Sequence, residues 1–135
     1  MTNEQEPRGV SIIDPSTALP RPMTRPGGRS IRLVDSGVGA ETIDLHINIL
    51  QPGSRASSPY HFHSVSENIY FVLSGTLCLR LEDEDVIVEA GHAVFIPPQV
   101  PHAVWNAGDS EARLLEIYAP PNADLVLVEP FGNSR

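Results

Sequence analysis

His61-Phe62-His63, continuing through Ser64-Val65-Ser66-Glu67-Asn68-Ile69-Tyr70-Phe71-Val72-Leu73-Ser74 to Gly75, is the stretch that decides how this chain is read. On an extended backbone, residues i and i+2 point to the same face. The two imidazoles are then anchored about 6–7 Å apart at their Cα atoms, given ~3.3 Å rise per residue, and both can reach one ion. Taken alone, the pair also suits two solvated loop histidines.

A second segment narrows the choice. Pro97-Pro98-Gln99-Val100-Pro101-His102-Ala103-Val104-Trp105-Asn106 is a rigid proline-rich turn leading into a strand whose first residue is a histidine. Neutral imidazole suits zinc, copper, iron, nickel and manganese. His61, His63 and His102 on two strands of a small barrel can supply one face of a coordination shell, leaving the other face to water or substrate.

Outward from these segments the chain reads as short strands and turns. Ile31 to Asp35 is a candidate strand and Ser36-Gly37-Val38-Gly39 a turn. Thr42 to Leu50 alternates, with Ile43, Leu45, Ile47 and Ile49 on one face and Asp44, His46 and Asn48 on the other. That period of two marks a half-buried strand. Further strands are expected at Ile69–Leu73, Leu77–Leu81, Val86–Val88, Val94–Ile96, His102–Trp105 and Arg113–Tyr118, with a possible outer one within Asp124–Glu129. The pattern predicts an all-β barrel or sandwich and no helix of useful length.

Residues 1–30 carry Pro7, Pro15, Pro20, Pro22 and Pro26, which exclude a helix or a central strand. We expect a proline-rich arm over 1–30, in which Val10–Ile13 could add an edge strand, and one barrel domain over 31–135. A chain of 135 residues has no room for a second core.

The basic residues are nine arginines and no lysine against 17 acidic groups, for a formal net charge of −8. This acidity argues against a nucleic-acid partner and against anionic membranes. Cys78 is the lone cysteine, so no intrachain disulfide can form. No run approaches the ~20 apolar residues of a membrane span, and the expected compartment is the cytoplasm.

The two histidine segments resemble the paired motifs of the cupin superfamily. The first is matched by Gly53, His61, His63, Glu67 and Gly75. The second is matched by Gly91, Pro97, His102 and Asn106, with Gln99 where glycine is usual. The resemblance spans roughly Thr42 to Pro120. It implies a double-stranded β-helix, the cupin or jelly-roll barrel, and a mononuclear divalent metal (Fe, Mn, Ni, Zn or Cu) on the three histidines. It also implies a homodimer paired through sheet faces.

The family's metal-binding glutamate does not fall cleanly. Glu67 is three residues after His63 but seven before Gly75, whereas Asn68 is four after and six before. A one-residue slip turns a side chain to the opposite face. Counting back along the strand from Gly75 favours Asn68 inward; a bulge would bring in Glu67 instead. If Asn68 is inward, so are Tyr70 and Val72, and Tyr70 can bond a substrate or simply pack.

Leu114, Glu116 and Tyr118 share one face. Turned inward, Glu116 is a candidate general base; turned outward, it is a surface carboxylate or a partner of an arginine such as Arg80. His46 reads as a support behind the metal ligands or as a plain interior or dimer-face histidine, and His92 as exposed. Trp105 and Phe95 belong to the pocket or to a dimer interface.

No serine shows a partnered nucleophile arrangement. The resemblance implies a metal-dependent enzyme acting on a small organic substrate by oxygenase, decarboxylase, isomerase or lyase chemistry. The alternative is a non-catalytic module that binds a small molecule or metal.

Overall fold

Asp44, His46 and Asn48 all face inward, and this polar row sets the character of the barrel. The structure is a computed structural model that describes residues 9–23, 27–53 and 58–129. Its strands, in chain order, are β1 (Arg21–Pro22), β2 (Gly28–Val34), β3 (Asp44–Leu50), β4 (His61–Phe62), β5 (Glu67–Ser74), β6 (Thr76–Arg80), β7 (Asp85–Glu89), β8 (Ala93–Ile96), β9 (Ala103–Asn106), β10 (Ala112–Ala119) and β11 (Val126–Leu127). One sheet runs β1-β2-β3-β10-β5-β8, a second β7-β6-β9, and β11 pairs with β4. Every pairing is antiparallel. The protein is a single all-β domain, a jelly-roll barrel of the double-stranded β-helix kind. Among the described residues no helix is long and apolar enough to cross a membrane.

Register fixes what faces inward, because directly paired residues share a face. One inward row is Arg21, Ser30, Asn48, Leu114 and Val72. The next is Arg32, His46, Glu116, Tyr70 and Val94. The third is Asp44, Tyr118, Asn68 and Ile96. The barrel is therefore polar toward β2 and β3 and apolar toward β8. The apolar part joins Leu50, Val72, Leu77, Leu79, Val104 and Leu114 from both large sheets into one core.

Outward-facing rows are Ile31, Ile47, Leu115 and Phe71, and Leu45, Ile117, Ile69 and Phe95. Phe95 thus lies on the outer surface, exposed. Trp105 instead joins a second buried cluster with Tyr60, Cys78 and Ala103, against which Val128 packs.

The sheet begins before Ile31, since β1 and the start of β2 lie inside the proline-rich stretch. A proline is tolerated in β1 because that strand is the sheet's edge. Val10–Ile13, expected as an edge strand, forms none; Val10 and Ile12 are exposed. Asp14 ends that segment by accepting the Ser16 N–H and capping a short 3-10 turn at Pro15–Thr17. Pro7 and Pro26 lie outside the described residues.

Gly75, in the β5–β6 turn, has φ +85°, and a Cβ there would sit 2.8 Å from the Ala112 Cβ. Only glycine fits such a left-handed turn packed against a neighbouring strand.

Candidate metal centre

The three histidines come together through backbone pairing. His61 and His102 form an isolated antiparallel bridge, His61 N–H donating to the His102 carbonyl (3.0 Å) and His102 N–H to that of His61 (2.8 Å). His63 follows β4, and its carbonyl accepts the Gln99 N–H at 2.8 Å. Gln99 takes a left-handed conformation, φ 69°. Its position is where the resemblance expects glycine; a turn of that hand is what the motif needs, and a non-glycine residue here adopts it.

Each imidazole is then oriented by a backbone carbonyl. Nδ1 lies 3.0 Å from the Pro59 oxygen in His61, 2.6 Å from the Asp124 oxygen in His63 and 2.9 Å from the Val100 oxygen in His102. A carbonyl only accepts, so each Nδ1 carries the proton and each Nε2 presents its lone pair. The ligand atoms of the three rings lie within 4.8 Å of one another. Among the described residues, Nε2 of His63 and of His102 has no hydrogen-bond partner although buried. Burial, then the neighbouring His61, holds the His102 pKa down to about 3, against the smaller opposing pull of the Val100 carbonyl. Two buried, unpartnered nitrogens converging with a third suit a divalent transition metal.

The C-terminal segment completes the support. β11 pairs with β4, Asp124 supplies its carbonyl to His63, and its side chain accepts the Ser64 N–H at 2.8 Å.

Asn68 is fully buried and faces inward. Its Nδ2 donates to Glu116 Oε2 and to the Ile117 carbonyl, each at 3.1 Å, and its Oδ1 has no hydrogen-bond partner among the described residues. Glu67 pairs with Ala119, lies on the opposite face and is exposed. The bulge that would bring it inward is absent from this part of β5, whose register shift falls opposite Arg113 and Leu114 instead.

Glu116 is buried, accepting from the side-chain amides of Asn48 and Asn68. The expected alternative partner, Arg80, binds Asp85 through two nitrogens, at 2.8 and 2.9 Å, on the other sheet. Tyr70 is buried with its ring centroid 6.2 Å from that of His102. His92 is exposed, and His46 is interior.

Sequence reasoning gives no role to Tyr118, Asn48 or Asp44, and all three belong to the site. The Tyr118 ring lies 5.0 Å from His63 and 6.0 Å from His46. Burial, then the acidic Glu116, pushes its phenol well above its ordinary pKa, so it stays protonated. The available signal was the Asp-x-His-x-Asn alternation in Thr42–Leu50, in which the polar face could be the interior one.

A chamber of about 80 Å³ lies beside His61, lined also by Met23, Asn48, Tyr70, Glu116 and Tyr118. Met23, Asn48, Glu116, Tyr118 and Leu125 also line a wider vestibule of about 590 Å³, which reaches Arg21 and Arg32.

The family model described as "Cupin domain" matches residues 46–118. Protein SchB of Streptomyces halstedii is 32% identical over 124 residues, covering 90% of this chain and 86% of its own. Polyketide synthase CurC of Streptomyces cyaneus is 32% identical over 120 residues, covering 87% and 73%. The polyketide cyclase RemF of Streptomyces resistomycificus superposes with a TM-score of 0.76 at 26% identity, covering 88% of this chain and 85% of that one.

Proposed function

This chain belongs to the cupin family, and on that footing we propose that it is a metal-dependent enzyme that closes rings in a carbonyl-rich, polyketide-like substrate. The observation that carries the reading is the arrangement of the three imidazoles: every Nδ1 is turned to a backbone carbonyl, and the ligand atoms gather within 4.8 Å. The relatives named for polyketide synthesis, and the cyclase of like fold, supply the substrate class.

His61, His63 and His102 would hold the ion, with the Asn68 Oδ1 as an optional fourth donor. A bound divalent ion supplies Lewis acidity toward a substrate carbonyl oxygen. Glu116 takes the proton from a carbon flanked by two carbonyls. The Asn48 and Asn68 amides fix its position and leave lone pairs on both oxygens. Tyr118, protonated, donates to a second carbonyl, and Tyr70 bounds the chamber beside His61. The enolate carbon forms a C–C bond with that second carbonyl carbon. The proton on Glu116 then passes to the new alkoxide, and loss of water completes the ring. The same reading includes a homodimer formed through the outer face of the six-stranded sheet, supported by the apolar rows across it.

The test is purification under reducing, chelator-free conditions, metal analysis, and assay with a synthetic 1,3,5,7-tetraketone whose cyclisation gives aromatic absorbance. We expect about one ion per chain and turnover that is lost on chelation and in Glu116→Gln. A protein that retains no ion, or turnover indifferent to chelation, sinks the proposal. Metal retention with no turnover leaves the non-catalytic binding module.

A further inference from the structure

The vestibule outside the metal centre carries cationic groups that the ring closure does not use. Arg21 on β1 pairs with Ser30, and Arg32 on β2 pairs with His46, so both belong to inward rows and both line the vestibule. In a chain of net charge −8, the other arginines with a described ion pair sit on outward faces: Arg29 and Arg113 with Glu111, and Arg80 with Asp85. Among the described residues no acidic partner is recorded for Arg21 or Arg32. Two arginines lining one vestibule without an ion-pair partner among the described residues favour an incoming anion.

A second observation lies deeper in the same space. Asp44 and His46 are 4% and 8% exposed, and among the described residues Asp44 Oδ1 and His46 Nε2 have no hydrogen-bond partner. Both residues line the vestibule, and the two atoms stand 3.7 Å apart, too far to bond one another. Buried polar atoms left unmade are costly. A hydroxyl can bond both at once, donating to Asp44 Oδ1 and sharing a second hydrogen bond with His46 Nε2.

We infer that the vestibule is the recognition half of the substrate site, in which Arg21 and Arg32 bind a carboxylate of the substrate and Asp44 with His46 binds one of its hydroxyls. The inference deepens the proposed function and rests on it for the identity of the bound molecule as substrate. A planar monoanionic carboxylate suits guanidinium donors. It also suits a vestibule shared with the acidic side chains of Asp44 and Glu116 better than a dianionic phosphate does. Arg21 and Arg32 are specificity residues here, remote from the reacting carbons.

Calorimetry on the zinc-loaded full chain tests this with 4-hydroxybenzoate, its neutral amide, unsubstituted benzoate and inorganic phosphate. We expect 4-hydroxybenzoate to bind about tenfold or more tightly than the amide and than benzoate, and phosphate to bind most weakly. Arg21→Gln and Arg32→Gln should each shrink the acid-over-amide preference while leaving zinc content unchanged, and the double variant should abolish it. His61→Ala, which loses zinc on the proposed function, should keep that preference. No binding by the acid, equal binding by acid and amide, tighter phosphate, or a preference that survives the double variant each overturns the inference. So does a preference lost with the zinc in His61→Ala. Zinc retained by His61→Ala sinks the metal assignment alone and leaves the vestibule result standing.

Discussion

His102 is fully buried, bonded through Nδ1 to the Val100 carbonyl, and surrounded by two further imidazoles. Its pKa falls from 6.5 to about 3, chiefly through burial. Unfolded chains bind this proton near pH 6.5 and the folded protein does not. The unfolded state is therefore favoured progressively as pH drops from about 6.5 toward 3, and the contribution is fully present above that window. We expect metal-free protein to lose stability on the order of 4 kcal/mol across it, seen as a falling Tm. His102→Gln should flatten the slope, and a Tm independent of pH there would contradict the geometry. Bound metal competes with protons for Nε2, so zinc should move the onset of destabilisation to lower pH. His61→Ala is expected to cost most of the metal content at neutral pH, because two imidazoles remain where three converge; unchanged metal content would count heavily against the site.

At the scale of the element, the turn holding Gln99 does as much for the site as the histidines. Gln99 N–H reaches the His63 carbonyl from a left-handed backbone. Gln99→Gly keeps that backbone and should hold metal affinity and stability within about 1 kcal/mol. Gln99→Pro forbids the positive φ and removes the donor, so it should weaken metal binding by about tenfold or more at retained fold. Equal affinity in both variants, read by competition with a fluorescent chelator, would show that the turn does not position His63. Gly75→Ala puts a Cβ against Ala112 at positive φ, and should lower stability by about 3 kcal/mol in denaturant unfolding. These turns also show how far the sequence could be read. Proline, glycine and acidic punctuation marks the barrel strands to within a few residues, and the alternation from Asn68 to Val72, ahead of the irregularity at Leu73, places Asn68 inside and Glu67 outside. Alternation alone does not say which face of Thr42–Leu50 is interior. A cavity can be lined by Asp44, His46 and Asn48 as well as by isoleucines, and only pairing with β10 decides it. The chamber walls likewise come from β3, β5 and β10, far apart in the chain, so no local pattern announces them.

At the scale of the whole molecule, the two large sheets differ in what covers their outer faces. The outer side of β6 and β9 is sealed by Tyr60 and Val128 over Cys78, Ala103 and Trp105. Among the described residues no strand covers the middle of the outer face of the six-stranded sheet, where Phe71 and Phe95 are 38% and 56% exposed. Ile47, Leu115, Ile69 and Ile117 extend that surface, and the Arg29–Glu111–Arg113 ion pairs border it. An apolar centre with a charged rim is the anatomy of a protein interface, and a second copy offers the self-complementary surface that a two-fold axis requires. Association buries apolar area but brings together two chains of charge −8 each. The first effect is nearly independent of salt, whereas the repulsion is screened beyond about 10 Å at 0.1 M salt. Dimerisation should therefore strengthen as salt rises, opposite to an interface held by ion pairs. Sedimentation velocity at low and moderate salt reads this directly. Phe71→Arg, which puts a charge at the centre of the face and leaves the metal ligands untouched, should give a monomer with normal metal content. A wild-type protein that sediments as a monomer at every salt concentration would remove the homodimer, and a dimer that survives Phe71→Arg would place it on another face.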